Sequence, residues 1–118
     1  MASPRRIERL NVVIREELAK ILIREIEFPA GALVTVSRVR VAEDLFNAEI
    51  ALSVLPTEQG EAVLKLLSEH IFDIQQLLNK RLRMRPVPKI RFVQDTTEAE
   101  AAEVEAELYK LQKSGDRG

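Results

Sequence analysis

Apolar residues recur first at helical spacing, then at alternate positions, then at helical spacing again. Ile7, Leu10, Ile14, Leu18 and Ile21 are separated by three and four residues, so they lie on one stripe of a helix. Arg5, Arg9, Glu16 and Lys20 fall on the opposite side. Ser3 before Pro4 reads as an N-cap followed by proline in the first turn, and Pro29-Ala30-Gly31 closes the segment. A helix from about residue 4 to 26 is expected. Leu33 to Val41 is rich in valine and threonine, which suit a strand. Two registers compete there, Val34 and Val36 inward or Leu33, Val39 and Val41 inward. The second is favoured because it leaves Arg38 and Arg40 exposed. Ala42 to Phe46 forms a turn around Asp44. Asn47 to Leu55 then alternates, with Ala48, Ile50, Leu52 and Val54 inward and Asn47, Glu49, Ala51 and Ser53 outward. The two strands are expected to pair as an antiparallel hairpin.

The next helical region starts at Pro56-Thr57, with Thr57 as N-cap. Val63, Leu66, Leu67, His70, Ile71, Ile74, Leu77 and Leu78 form its stripe. On one unbroken helix Phe72 would point away from that stripe by about 160°. A kink between residues 68 and 72 lets it rejoin a core face, so two helices are predicted. Pro86 and Pro88 stop the second. Lys89 to Val93 reads as a third strand. Asp95-Thr96-Thr97 caps a last, acidic helix over 98–112, and 113–118 is expected to fray. The result is one domain over residues 1–112. Its class is α+β: helix, two strands, two kinked helices and a strand, with helices over a three-stranded sheet and an additional C-terminal helix.

Charge sharpens this picture. The formal net charge is -1, yet Lys80, Arg81, Arg83, Arg85, Lys89 and Arg91 crowd twelve residues that contain no acid. Seven acidic and three basic residues follow from Gln94 onward, leaving +3 on residues 1–93. A concentrated patch of this kind attracts phosphate. Lys80, Arg81, Arg83 and Arg85 are therefore the leading candidates for phosphate contact with RNA or DNA. Arg5 and Arg9, with Arg6, form a second basic group, set against the dipole of the first helix. Arg38 and Arg40 line an exposed sheet edge, with pairing to Glu49 or Glu43 as the alternative. His70 is expected to be partly buried. Phe72 is expected to pack across the kink, with stacking on a base beside Gln75, Gln76 and Asn79 as the alternative.

Other chemistries find little support. With no cysteine and a single histidine, neither thiol chemistry nor a zinc site is expected, and no cofactor or catalytic residue stands out. There is no Gly-rich phosphate loop. No apolar run reaches the length of a membrane span, and the polar, basic start of the chain lacks a signal core.

The element order resembles the type II KH fold. Within it, Leu33 to Val41, Asp44-Leu45, Ala48, Ser53-Val54-Leu55 and Arg83 to Phe92 resemble the ribosome-binding factor A family over about residues 5–112. That resemblance implies a small cytoplasmic, non-enzymatic factor; a monomer without membrane or small-molecule partner is expected, since nothing in the chain demands a dimer. It would bind the small (30S) ribosomal subunit and its 16S rRNA, act late in assembly and in 5′-end processing, and be linked to growth in the cold. The family marks its helix kink with Ala-x-Gly. His70-Ile71-Phe72 stands there in this chain, and Gln75 replaces a common arginine.

Overall fold

The computed structural model describes residues 2–95; the expected helix over 98–112 and the tail lie outside them. The elements are α1 (Pro4–Glu25), β1 (Leu33–Val41), β2 (Asn47–Leu55), α2 (Gly60–Glu69), α3 (Ile71–Arg81) and β3 (Lys89–Gln94). The sheet order is β1-β2-β3, with β1 antiparallel and β3 parallel to the central β2. A parallel neighbour requires a crossover, and the α2–α3 pair supplies it. α1 lies over β1, α2 over β3, and α3 beside α1, so the described helices form one layer on the sheet.

α1 begins as its residues dictate. The Ser3 hydroxyl accepts from the Arg6 amide at 3.2 Å, and Pro4 opens the helix. Its stripe seats Ile14, Leu18 and Ile21 in the core beside Leu67, Ile74, Leu78, Ile50 and Leu52. Each such side chain contributes about 1.5–3 kcal/mol of transfer free energy. Between α1 and β1, Pro29 to Ala32 make a turn in which the Ala32 amide donates to the Pro29 carbonyl at 3.0 Å. Gly31 takes φ +82° there, the left-handed position that glycine adopts without a Cβ clash. Asn11 then ties helix to sheet, its side-chain oxygen accepting from the Val41 amide at 2.9 Å.

β1 corrects the expected register, because both candidates are half right. Val36, Val39 and Val41 are buried, whereas Leu33 is 62% exposed. A bulge makes this possible. Val36 opposes Leu52 and Val39 opposes Ile50, so Ser37 is an extra residue and inverts the phase after it. The Ser37 hydroxyl occupies the irregularity, 3.0 Å from the Ala51 carbonyl and 2.9 Å from the Asp95 carboxylate. Arg38 and Arg40 remain exposed. On β2 the inward set is as expected, but Ala51 and Ser53 are buried too. They occupy the central strand, flanked in register by Arg38 and Val93 or by Thr35, and a small side chain there is covered by its longer neighbours.

The hairpin turn is held by Asp44, whose carboxylate accepts from the Phe46 amide at 2.9 Å. Leu45 adopts φ 65°, an uncommon conformation for a branched residue, while its side chain packs on the core. Thr57 is not a side-chain cap. It sits in a short 3-10 turn, Thr57–Gln59, that leads into α2, and its carbonyl accepts from the Gln94 side-chain Nε2 at 3.2 Å. The break between α2 and α3 falls at His70 (φ -107°, ψ 9°), inside the predicted window. It does not turn Phe72 inward, and Phe72 is 71% exposed. His70 is exposed as well, because the break carries the stripe from Leu67 to Ile71 and Ile74 without it.

Candidate nucleic-acid interface

Two basic groups from distant parts of the chain meet where α1 begins and α3 ends. Arg6 and Arg9 from α1 and Arg81 and Arg83 from the end of α3 line one groove, with Leu10, Val13, Leu82 and Met84 between them. The groove encloses about 420 Å³. Helical spacing explains the α1 wall: residues 6, 9, 10 and 13 share one face. Its other wall depends on how α3 stops. Leu82 leaves the helix in extended conformation and is buried, so Arg81 and Arg83 flank an anchored residue. Pro88, also buried, fixes the far end of the connection.

The four guanidinium groups are not equally available. Arg81 donates to Glu17 Oε2 at 3.0 Å, which pins it against α1. Glu17 also lies 3.8 Å from Lys20. Arg6, Arg9 and Arg83 form no ion pair among the described residues. Three arginines without an ion pair among the described residues, beside one pinned arginine, make a positive surface. Arginine can offer phosphate two parallel N–H donors, so the groove suits a phosphate-bearing ligand. Its apolar strip, on which Val13 is 42% exposed, offers contact area for the uncharged parts of the same ligand.

The remaining sequence candidates separate. Arg85 turns back on its own loop and donates to the carbonyls of Leu82 at 2.8 Å and Met84 at 2.6 Å, bracing the groove wall from behind. Lys80 and Arg5 are exposed and outside the groove lining. Arg38 and Arg40 lie on the outer face of the sheet. Arg40 opposes Glu49 in register, but the 2.7 Å ion pair of Glu49 is with Arg91 across the other edge of β2. Of the kink residues His70, Ile71 and Phe72, only Ile71 packs on the core. Gln75 is not an outward-facing residue. Its amide donates to the Pro88 carbonyl at 3.1 Å and to Asn79 Oδ1 at 3.0 Å, and its oxygen accepts from the Ile90 amide at 2.9 Å. It thereby clamps α3 to the start of β3. The apolar part of the groove was overlooked in the sequence, although Leu10 and Val13 follow Arg6 and Arg9 on one helical face.

Among the described residues, no group of three or more histidines or acids could hold a metal ion, and no helix is long and apolar enough to cross a membrane. The helix–strand–strand–helix–helix–strand order, with its parallel third strand, is that of a type II KH-like domain. The model of the family described as ribosome-binding factor A matches residues 6–108. The chain belongs to the ribosome-binding factor A family, whose members are ribosome-binding factors rather than enzymes. It is 37% identical to ribosome-binding factor A of Bdellovibrio bacteriovorus over 113 residues, covering 95% of this chain and 84% of that one. A solution structure of the Thermotoga maritima protein aligns with a TM-score of 0.68 at 28% identity, over 80% of this chain and 92% of that one. A homology model of the Thermus thermophilus factor, fitted into the cryo-EM map of a 30S–ribosome-binding factor A complex, aligns with a TM-score of 0.64 at 27% identity. The alignment covers 75% of this chain and 93% of that one.

Proposed function

We propose that this chain binds the free small ribosomal subunit through 16S rRNA, and that the groove between α1 and α3 is its principal contact. The observation that carries the reading is the convergence of Arg6, Arg9, Arg81 and Arg83 on one groove, with Glu17 paired to Arg81 at its margin. The homology model of the Thermus thermophilus relative, fitted into the map of a 30S–ribosome-binding factor A complex, supports the small subunit as the partner. In this reading the protein is a monomeric cytoplasmic assembly factor. It holds rRNA late in maturation, while the 5′ end is being processed, and assists growth in the cold. Phosphate contacts give affinity with little sequence preference, so the folded shape of the rRNA selects the position.

Co-sedimentation with isolated small subunits, large subunits and joined ribosomes over a salt series tests this. Salt-sensitive binding to free small subunits is expected. Arg9→Glu combined with Arg83→Glu should weaken it by about 3–5 kcal/mol, since a charged hydrogen bond is worth roughly 1.5–3 kcal/mol. Undiminished binding by that folded double variant would overturn the groove assignment. A second reading, a protein-interaction module, draws on Ile23, which is 82% exposed beside an apolar groove lined by Leu22, Phe28, Val34 and Val36. It predicts particle binding insensitive to salt and lost in Ile23→Glu.

A further inference from the structure

The outer face of the sheet holds another basic cleft, on the layer opposite the groove. Register sets Arg40, Glu49 and Arg91 in one row across the three strands, and Asn47 beside Lys89 in the next. These residues, with Ala42 and Glu43, line a cleft of about 680 Å³ near the hairpin end of the sheet. Glu49 accepts from Arg91 at 2.7 Å, which neutralises the carboxylate and fixes the guanidinium. Arg40 on one edge strand and Lys89 on the other are exposed and form no ion pair among the described residues. They therefore flank the neutralised pair with uncompensated charge. Ala42 is short and the Ala48 side chain faces the core, so a ligand can approach the backbone between the two cations. Including Arg38 further along β1, and Asp95 hydrogen-bonded to the neighbouring Ser37, four cations on this face meet three carboxylates. That distribution suits an extended polyanion that reaches several cations at once better than a small lone anion.

We propose that this cleft is a second contact for the phosphodiester backbone of RNA. The proposal rests on the RNA-binding reading given above. It adds that the domain engages nucleic acid on both of its layers, and so can hold two stretches of RNA against opposite sides of one small body.

The test uses a fluorescein-labelled uridine oligonucleotide, anisotropy titrations over a potassium chloride series, and circular dichroism to establish folding. Three variants accompany the parent: Arg40→Gln with Lys89→Gln, Arg9→Glu with Arg83→Glu, and the four changes combined. Glutamine at 40 avoids setting a carboxylate opposite Glu49. The cleft variant should weaken binding and flatten the plot of log K against log salt by about 1.4, two phosphates at roughly 0.7 each on a single strand. The combined variant should lose both contributions. If the folded cleft variant keeps the parent's affinity and slope, the cleft proposal is overturned while the groove reading stands. If the groove variant is unchanged and the cleft variant is weakened, the groove assignment falls and the cleft remains.

Discussion

The groove between α1 and α3 and the cleft on the sheet both gather cations, yet they differ in how their acids are placed. In the groove one carboxylate, Glu17, stands at the margin and pins a single arginine. In the cleft Glu49 sits in the middle of the row, bracketed by Arg40 and Arg91, and Glu43 joins it in the lining. Cation counts alone would rank the two surfaces nearly equal. Pairing separates them, because a neutralised guanidinium offers little net attraction to phosphate, while an unpaired one keeps its full charge at the surface. Helix ends provide this asymmetry readily, since their side chains splay into solvent. Strand registers do not, since cross-strand partners stand side by side.

Three substitutions would break or sharpen the contrast. The largest effect is expected from Gln75→Leu. It strands the Ile90 amide and the Pro88 carbonyl in part-buried positions and should cost about 2–4 kcal/mol, read from the urea unfolding midpoint. Because it loosens the start of β3, which carries Lys89 and Arg91, residual RNA binding should shift toward the groove. A loss under about 1 kcal/mol would mean that water replaces the clamp.

Glu17→Gln should matter less for folding, within about 1 kcal/mol, because the pair is partly solvated. It releases Arg81 and removes the groove's neighbouring acid. Oligonucleotide affinity should rise severalfold and its salt dependence should steepen. Weaker binding would show instead that holding Arg81 in place matters more than freeing its charge. Phe72→Ser should change least. At 71% exposure the ring contributes little to the core, so stability should move by no more than about 0.5 kcal/mol, and neither basic surface should respond. A large stability loss would restore the packing role expected from the sequence.

The sequence revealed the three helices of the described residues, the hairpin and the break near His70, because each leaves a local trace: a period, a turn residue or a phase error. The bulge at Ser37 left none that a simple alternation could use. One extra residue exchanges the two faces, so the first half of β1 obeys one register and the second half the other. His70 and Phe72 were misplaced for a related reason. A helical stripe was extended through a break that resets its angle. The basic residues were legible as charge, but their meeting was not. Arg6 and Arg83 share a groove only because the α2–α3 crossover returns the chain beside α1, which no local window contains. Arg85 shows the converse: it reads as another phosphate ligand, yet the loop carbonyls take up its guanidinium.

The parallel pairing of β3 with β2 also bears on when this protein becomes able to act. Asn47 pairs with Lys89 and Leu52 with Gln94, so the sheet closes only after some forty intervening residues have formed the crossover. Chains are synthesised from the N-terminus, and distant strand pairings form slowly. Arg6 and Arg9 are thus among the first residues made, but they lack their opposite wall until the third strand has emerged and docked. Both basic surfaces mature at that same late step, the groove through its anchored connection and the cleft through Lys89 and Arg91. A truncated or half-synthesised chain would have the charges without the shape, and would be a poor competitor for the sites of the finished protein.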